Sequence, residues 1–339
     1  MNEHFQKIFL QTDPFTDILG QERAKKQLKS ALLMNRHLLI LGAPGIGKTT
    51  LAKNVARLLP DLTVNECPYN CNPKNPLCPE CKTKKSKTKK VSGTERFVRI
   101  QGSPDLTVED LLGDIDPVKA LQFGPTSIQA FTPGKIFRAN QGILFFDEVN
   151  RCTEKLQNSL LQVLEEGNAT LGAYTVDLPA NFIFIGTMNP EETAATEKLS
   201  DVFMDRFDII HMGYPETPQL EQQIVRMKGE KINVEFDDDL LALGILFVRL
   251  LRDHKDIMKK PSVRACLGIY ERAQANAFLA KRKEVTAEDI AEAMISVLAH
   301  RIELKPSVKY LQTNEEFIKQ QFEQFSSQHP ELDTGGGGL

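Results

Sequence analysis

The chain has no tryptophan and only five tyrosines among its 339 residues, so it offers no intrinsic indole fluorescence. It has no excess of positive charge: 42 Lys and Arg stand against 45 Asp and Glu, a net charge of −3. That excludes a bulk polycation that coats nucleic acid and leaves only local basic patches to consider. No long apolar run is present, since the longest, Leu240 to Val248, falls far short of the ~18 residues that a membrane span needs. The opening MNEHFQKIFLQTD mixes acids and amides and lacks the apolar core of a signal peptide. No internal repeat is found. These absences lead us to expect an ordinary soluble globular protein of the cytoplasm, long enough for about two domains at roughly 150 residues each.

Cysteine is scarce as well, with six in all, but four of the six crowd together. CPYNCNPKNPLCPEC places Cys67, Cys71, Cys78 and Cys81 as C-x3-C, six residues, then C-x2-C, whereas Cys152 and Cys266 stand alone. In a cytoplasmic chain this cluster suggests a metal site over a disulfide framework. Four thiolates at these separations suit a tetrahedral Zn²⁺ that staples an otherwise coreless loop. An iron–sulfur cluster and free reduced thiols are the competing readings. The TKKSKTKK run (83–90) directly after reads as a solvated loop arm, with contact to a phosphate-rich partner as the second reading. Without interleaved aromatics, it offers no stacking surface for single strands.

Through the first two-thirds, short aliphatic runs alternate with helical patterns. HLLILG (37–42), FVRIQG (97–102), GILFFDE (142–148), FIFIGTMN (182–189) and DIIHMG (208–213) read as buried strands. Their near-continuous hydrophobicity predicts a five-stranded parallel sheet covered on both faces, a three-layer α/β domain. KTTLAKNVARLL and TEKLQNSLLQVLEEG read as helices between strands, the second stopped by Gly167. From about Thr217 the pattern turns helical, which predicts a small all-helical second domain joined near GYPETP. Thr286 with Asp289 and Thr313 with Glu316 fit capping patterns at two helix starts. The domain boundaries are set at 1–214, 215–304 and 305–339, with a Cys/Lys-rich insert at 66–90. The last segment holds a helix, TNEEFIKQQFEQF, and a flexible glycine run, Gly335 to Gly338. Phe317, Ile318, Phe322 and Phe325 in that helix form an apolar stripe, either for a partner or for the chain's own helical domain.

LGAPGIGKTT carries the chemistry. Gly42, Gly47, Lys48 and Thr49 stand in the spacing G-x-x-x-x-G-K-[ST], after one predicted strand and at the opening of a predicted helix. Loop backbone N–H groups of residues Gly42, Ala43, Pro44, Gly45, Ile46, Gly47, Lys48, Thr49 and Thr50 (the proline apart) can curl around phosphate oxygens at a helix N-terminus. Lys48 is expected to reach the β- and γ-phosphates of ATP and Thr49 to ligate Mg²⁺. A second strand ends in Asp147 and Glu148, a carboxylate for the Mg²⁺ shell and one to accept a proton from attacking water. A third ends in Asn189, an amide placed to orient that water, although an Asn before Pro is also a common turn residue.

Together these strand ends resemble an AAA+ ATPase. PFTDILGQERAKKQL (14–28), PDLTVEDLLGDIDPVKAL, FTPGKIFRANQGILFFDEVNR, ANFIFIGTMNPEE and DRFDI narrow the likeness to the magnesium chelatase I subunit and the MoxR ATPases, a branch with an insert in helix 2. The resemblance runs over about residues 14–304. It implies that residues 103–141 are that insert and that ATLGAYTVDLPANF (169–182) is a second pore-facing hairpin. It implies that Arg206 is an arginine finger serving a neighbouring subunit and that Arg264 is a sensor-2 arginine. It further implies a homo-oligomeric ring, most simply a hexamer, and a partner with a von Willebrand factor A domain. The bland reading of either arginine is a surface salt bridge.

The function expected is therefore a ring-forming ATP hydrolase that remodels a partner or drives metal insertion into it. The alternative is a nucleic-acid-binding translocase that uses the Cys/Lys insert, against which the net charge and the single basic segment argue. A nucleotide switch without turnover is a third reading, opposed by the presence of Lys48, Asp147, Glu148 and Arg206 together.

Overall fold

The computed structural model describes residues 2–11, 13–84, 86–124, 127–171, 174–179, 181–190 and 199–332. The glycine run 335–338 and the tip of the 169–182 hairpin lie outside them. Two compact units are present, residues 1–42 with 47–212 and residues 43–46 with 213–339.

In the first unit, the five aliphatic runs become the strands His37–Leu41, Phe97–Gln101, Ile143–Asp147, Ile183–Met188 and Phe207–His211. They form one sheet in the spatial order 207–211, 37–41, 183–188, 143–147, 97–101, and every pairing is parallel. Consecutive strand residues point to opposite faces. Leu38, Leu39 and Ile40 are all fully buried, as are Leu144, Phe145 and Phe146, so both faces are covered and the three-layer arrangement follows. The helix Lys48–Leu58 follows the first strand, and Glu154–Glu166 ends where Gly167 takes a left-handed conformation at φ 66°.

Three local strand pairs flank this sheet in the sequence. The Cys/Lys stretch is bracketed by an antiparallel pair, Leu62–Asn65 with Thr88–Val91. The end of the lysine run is thus strand and not a free loop arm, and Lys90 pairs with Asp61 at 2.9 Å. Inside residues 103–141, a capped helix Val108–Leu112 leads into a second pair, Gly113–Ile115 with Phe131–Pro133, which carries the helix Pro117–Phe123. The strands Asn168–Leu171 and Tyr174–Pro179 pair antiparallel.

His37 opens the first sheet strand, and its Nδ1 accepts a hydrogen bond from the Phe184 amide at 3.2 Å. Burial, and secondarily the Arg36 charge, pushes its pKa from 6.5 down to about 4. Protonation therefore favours the unfolded chain. The stabilisation is complete above about pH 6.5 and is lost as pH falls towards 4, on the order of 2–3 kcal/mol. Urea midpoints measured at pH 7 and pH 4.5 should show this loss, and His37→Gln should flatten it. An unchanged pH slope in the variant would assign the effect to other groups.

The second unit packs the helices Pro218–Lys228, Asp238–Asp253, Val263–Leu279, Ala287–Leu298 and Asn314–Ser326, with one short antiparallel pair, Ile257–Lys259 with Glu303–Leu304. Both capping boxes form, at Thr286/Asp289 and Thr313/Glu316. Phe317, Ile318, Phe322 and Phe325 are buried in this unit's own core beside Phe247, so the stripe faces inward and is not offered to a partner. Below that core, Glu221 is wholly buried and receives Arg252 through two bonds of 2.5 and 2.8 Å and Arg249 at 3.1 Å. Burial alone would raise the Glu221 pKa, but the Arg252 hydrogen bonds outweigh it and hold the carboxyl below its usual range. Removing Arg252 leaves the buried carboxylate with only Arg249 and the Cys266 thiol, so Arg252→Ala should lower stability by about 3 kcal/mol, the lower end for a broken buried pair. Denaturant unfolding followed by far-UV circular dichroism checks this, and a loss below about 1 kcal/mol would mean that Glu221 is not held as an ion.

Candidate nucleotide site

The parallel sheet gathers four chain segments at its carboxyl edge. Residues 42–50 leave the strand 37–41, Asp147 and Glu148 end 143–147, Asn189 follows 183–188, and Gln101 and Gly102 end 97–101. In open α/β sheets this edge is where ligands bind.

The loop 42–50 fits a phosphate by its backbone. Gly45 sits at φ +76°, a conformation that side chains resist, and a Cβ there would stand 2.9 Å from Cγ of Arg264. Gly47 caps the helix Lys48–Leu58 without any side-chain bond. The N-terminus of this helix, at the end of the loop, carries the partial positive charge that favours an anion. Lys48 Nζ donates to the Gly42 carbonyl at 2.5 Å, so the ammonium lies over its own loop. Thr49 and Thr50 occupy the first helical turn and are half-buried.

Asp147 and Glu148 are held by residues that the sequence reading did not single out. Thr187, fully buried, donates its hydroxyl to Asp147 Oδ1 at 2.6 Å and accepts the Glu148 amide at 3.0 Å. Arg99 Nη2 reaches Asp147 Oδ2 at 2.6 Å. Gln101 Nε2 donates to Glu148 Oε2 at 3.0 Å, and Arg151 Nε pairs with the same oxygen at 3.0 Å. Glu148 itself is left-handed at φ 56°, and Gly102 passes so close that a Cβ would lie 2.0 Å from the Glu148 carbonyl oxygen. Only a glycine allows that approach. The sole sequence signal for Thr187 was its place in GTMNP, and its partners depend on which strand lies alongside. Asn189 stands half-buried two residues further on. A carboxylate pair so fixed beside a phosphate loop can hold a hydrated cation and accept a proton from water.

The two arginines differ in their settings. Arg264 lies in the first turn of Val263–Leu279 beside Gly45. Arg206 immediately precedes the strand Phe207–His211, at the amino edge of the sheet and opposite the edge that carries Glu148. Its guanidinium rests on Glu165, with Nε at 2.6 Å from Oε1, and reaches Asp205 at 3.6 Å.

The four clustered cysteines come together. Their sulfur atoms all lie within 4.8 Å of one another, and Cys71, Cys78 and Cys81 are buried. Cys152 and Cys266 are buried separately.

Comparison with known proteins then decides the family. The family described as magnesium chelatase, subunit ChlI, matches residues 14–88, the AAA ATPase family matches 78–209, and the AAA lid domain matches 252–321. The magnesium-chelatase subunit ChlI homolog of Methanocaldococcus jannaschii is 31% identical over 93% of this chain and 92% of its own. The chain belongs to the magnesium chelatase ChlI family of AAA+ ATPases. As a ChlI-family member it is an ATP hydrolase. The chloroplastic subunit ChlI-2 of Arabidopsis thaliana is likewise 31% identical, over 86% of this chain and 76% of its own. A solved complex of the magnesium chelatase subunits BchI and BchD contains a chain with the same fold, at a TM-score of 0.50 and 23% identity over 90% of this chain and 98% of that one. Among the described residues of this ChlI-family chain, no helix is long and apolar enough to cross a membrane.

Proposed function

We propose that the chain is the motor subunit of a magnesium-chelatase-type complex. Six copies form a cytoplasmic ring that hydrolyses ATP and drives metal insertion into, or MoxR-like remodelling of, a partner with a von Willebrand factor A domain. Residues 1–214 serve as the nucleotide domain, 215–304 as the lid and 305–339 as a C-terminal extension. One observation carries the ring. Arg206 and Glu148 stand at opposite edges of one sheet whose five-residue strands span about 16 Å. An arginine so placed cannot serve its own chain's phosphate and is available to a neighbour's.

Within each subunit, the loop 42–50 and Lys48 hold the phosphates. Thr49 and Asp147 would hold Mg²⁺, which when bound neutralises charge on the phosphate oxygens. Glu148 accepts the proton of the attacking water, Asn189 orients that water, and Arg264 touches the nucleotide from the lid. Zn²⁺ is the ion we assign to the cysteine cluster, for the reasons given below.

The test is a capture experiment. Glu148→Gln, loaded with ATP and presented to native extract, is expected to retain a protein with a von Willebrand factor A domain that the Lys48→Ala control does not retain. Nucleic acid retained in its place would overturn the reading in favour of a translocase.

A further inference from the structure

The cysteine insert has a chemistry of its own that ATP hydrolysis does not use. We propose that Cys67, Cys71, Cys78 and Cys81 bind a single Zn²⁺ as a closed tetrathiolate site, and that this ion seats residues 66–87 against the base of the 103–141 insert.

The sulfurs are spaced for one shared ion. A tetrahedral ion with Zn–S bonds of about 2.3 Å sets its four sulfurs about 3.8 Å apart. All four Sγ atoms here already lie within 4.8 Å of one another, on a loop with few apolar residues to draw them together. An iron–sulfur cluster interposes several irons and sulfides between its thiolates and holds them further apart than one shared ion does. The geometry thus separates two readings that the cysteine spacing left open.

Each sulfur sits in a polar setting. Cys67 Sγ accepts the Cys71 amide at 3.4 Å, and Cys71 Sγ accepts the Leu77 and Cys78 amides, both at 3.3 Å. Cys78 Sγ accepts the Cys81 amide at 3.4 Å, and Cys81 Sγ lies 3.1 Å from the Ser86 hydroxyl. Three sulfurs accept an amide N–H and the fourth touches a hydroxyl, the polar support that anionic ligands of a metal require. Four thiolates and one Zn²⁺ leave a net charge of −2, and Lys82, Lys84 and Lys87, exposed and within six residues of Cys81 in the chain, carry charge of the opposite sign. The lysine run gains a role in this way without any nucleic acid. Four protein ligands leave no open position, so the site is structural and not catalytic.

The knuckle rests on a strand pair and an aromatic contact. The strand pair 62–65 and 88–91 closes it from below, with the Asn65 amide bonded to the Cys71 carbonyl and the Glu66 amide to the Lys87 carbonyl, both at 2.8 Å. Tyr69, inside the knuckle and 6% exposed, packs its ring 5.9 Å from Phe137 of the helix Lys135–Arg138. Phe137 in turn meets Phe131 edge-on at 5.8 Å, on a strand of the 103–141 insert. Loss of the ion would release this aromatic chain.

Elemental analysis of the full chain, purified from zinc-supplied medium, should find one zinc per chain. Replacement by Co²⁺ should produce thiolate-to-cobalt charge-transfer bands and the d–d bands of a tetrahedral ion. Cys78→Ser combined with Cys81→Ser should abolish both. Stripping zinc from the unmutated chain with a mercurial and a chelator should raise amide hydrogen exchange in 62–91 and 131–138 while labelled ATP still binds. The stripped wild type keeps the test sound if the double variant misfolds. Iron with acid-labile sulfide, the absence of bound metal, or exchange in 131–138 that ignores the stripping would each overturn the proposal.

Discussion

Replacing Arg206 with alanine is expected to leave ATP binding intact and to lower turnover by about 10³–10⁵-fold, the range an arginine finger contributes to phosphoryl transfer. The expectation rests on geometry. Arg206 stands before Phe207 at the amino edge of the sheet, whereas Glu148 follows Asp147 at the carboxyl edge, so the phosphate that Arg206 would stabilise belongs to another chain. Among the described residues Arg206 pairs with Glu165 and, more distantly, with Asp205, and the Arg206 and Glu165 side chains are 39% and 42% exposed. A pair so exposed is worth about 0–1 kcal/mol, little enough for the guanidinium to be drawn to a developing phosphate charge. Mixing separates this from a merely structural role. Arg206→Ala keeps its own phosphate loop and Lys48→Ala keeps its own arginine, so mixed assemblies should regain activity that neither variant has alone. Wild-type turnover by Arg206→Ala, or mixtures as inactive as their parts, would remove the finger from the mechanism.

Glu148→Gln should bind ATP as the wild type does and hydrolyse it about 10²–10⁴-fold more slowly, the usual contribution of a positioned general base. The substitution preserves shape, and the backbone anchors, the Thr187 hydroxyl on the Glu148 amide and the close pass of Gly102, do not involve the side chain. What disappears is the negative charge that accepts the proton. Lys48→Ala differs in kind, because it removes the charge that draws in the phosphates and should lose binding itself. Single-turnover hydrolysis beside equilibrium binding of a labelled analogue distinguishes the two variants. Equal loss of binding in both would mean that Glu148 holds the nucleotide and does not activate water.

Much of this protein was legible because its signals are local. The phosphate loop is a run of consecutive residues, and its glycines and lysine act through the turn they themselves form. The strands announce themselves by continuous hydrophobicity because both faces of the sheet are covered, and Gly167 and the Thr286 and Thr313 capping boxes mark helix ends over three or four residues. The four cysteines were readable as a cluster for the same reason. Other features depend on strand order and register, which no window of sequence contains. Thr187 reaches Asp147 across 40 positions and Arg99 reaches it across 48, and both contacts exist only because strands 183–188 and 97–101 flank 143–147. The pairing of Thr88–Val91 with Leu62–Asn65 was hidden because exposed lysines in an edge strand read as a solvated loop.

The sequence by itself therefore determined the chemistry this chain carries: a phosphate loop, an acidic strand end and a four-cysteine cluster, each built from neighbours along the chain. Only the tertiary structure decided how that chemistry is arranged. It set which side chains brace Asp147 and Glu148, and it put Arg206 at the far edge from its own phosphate loop. Those are consequences of parallel strands lying side by side, and contacts across a sheet leave no trace in local periodicity.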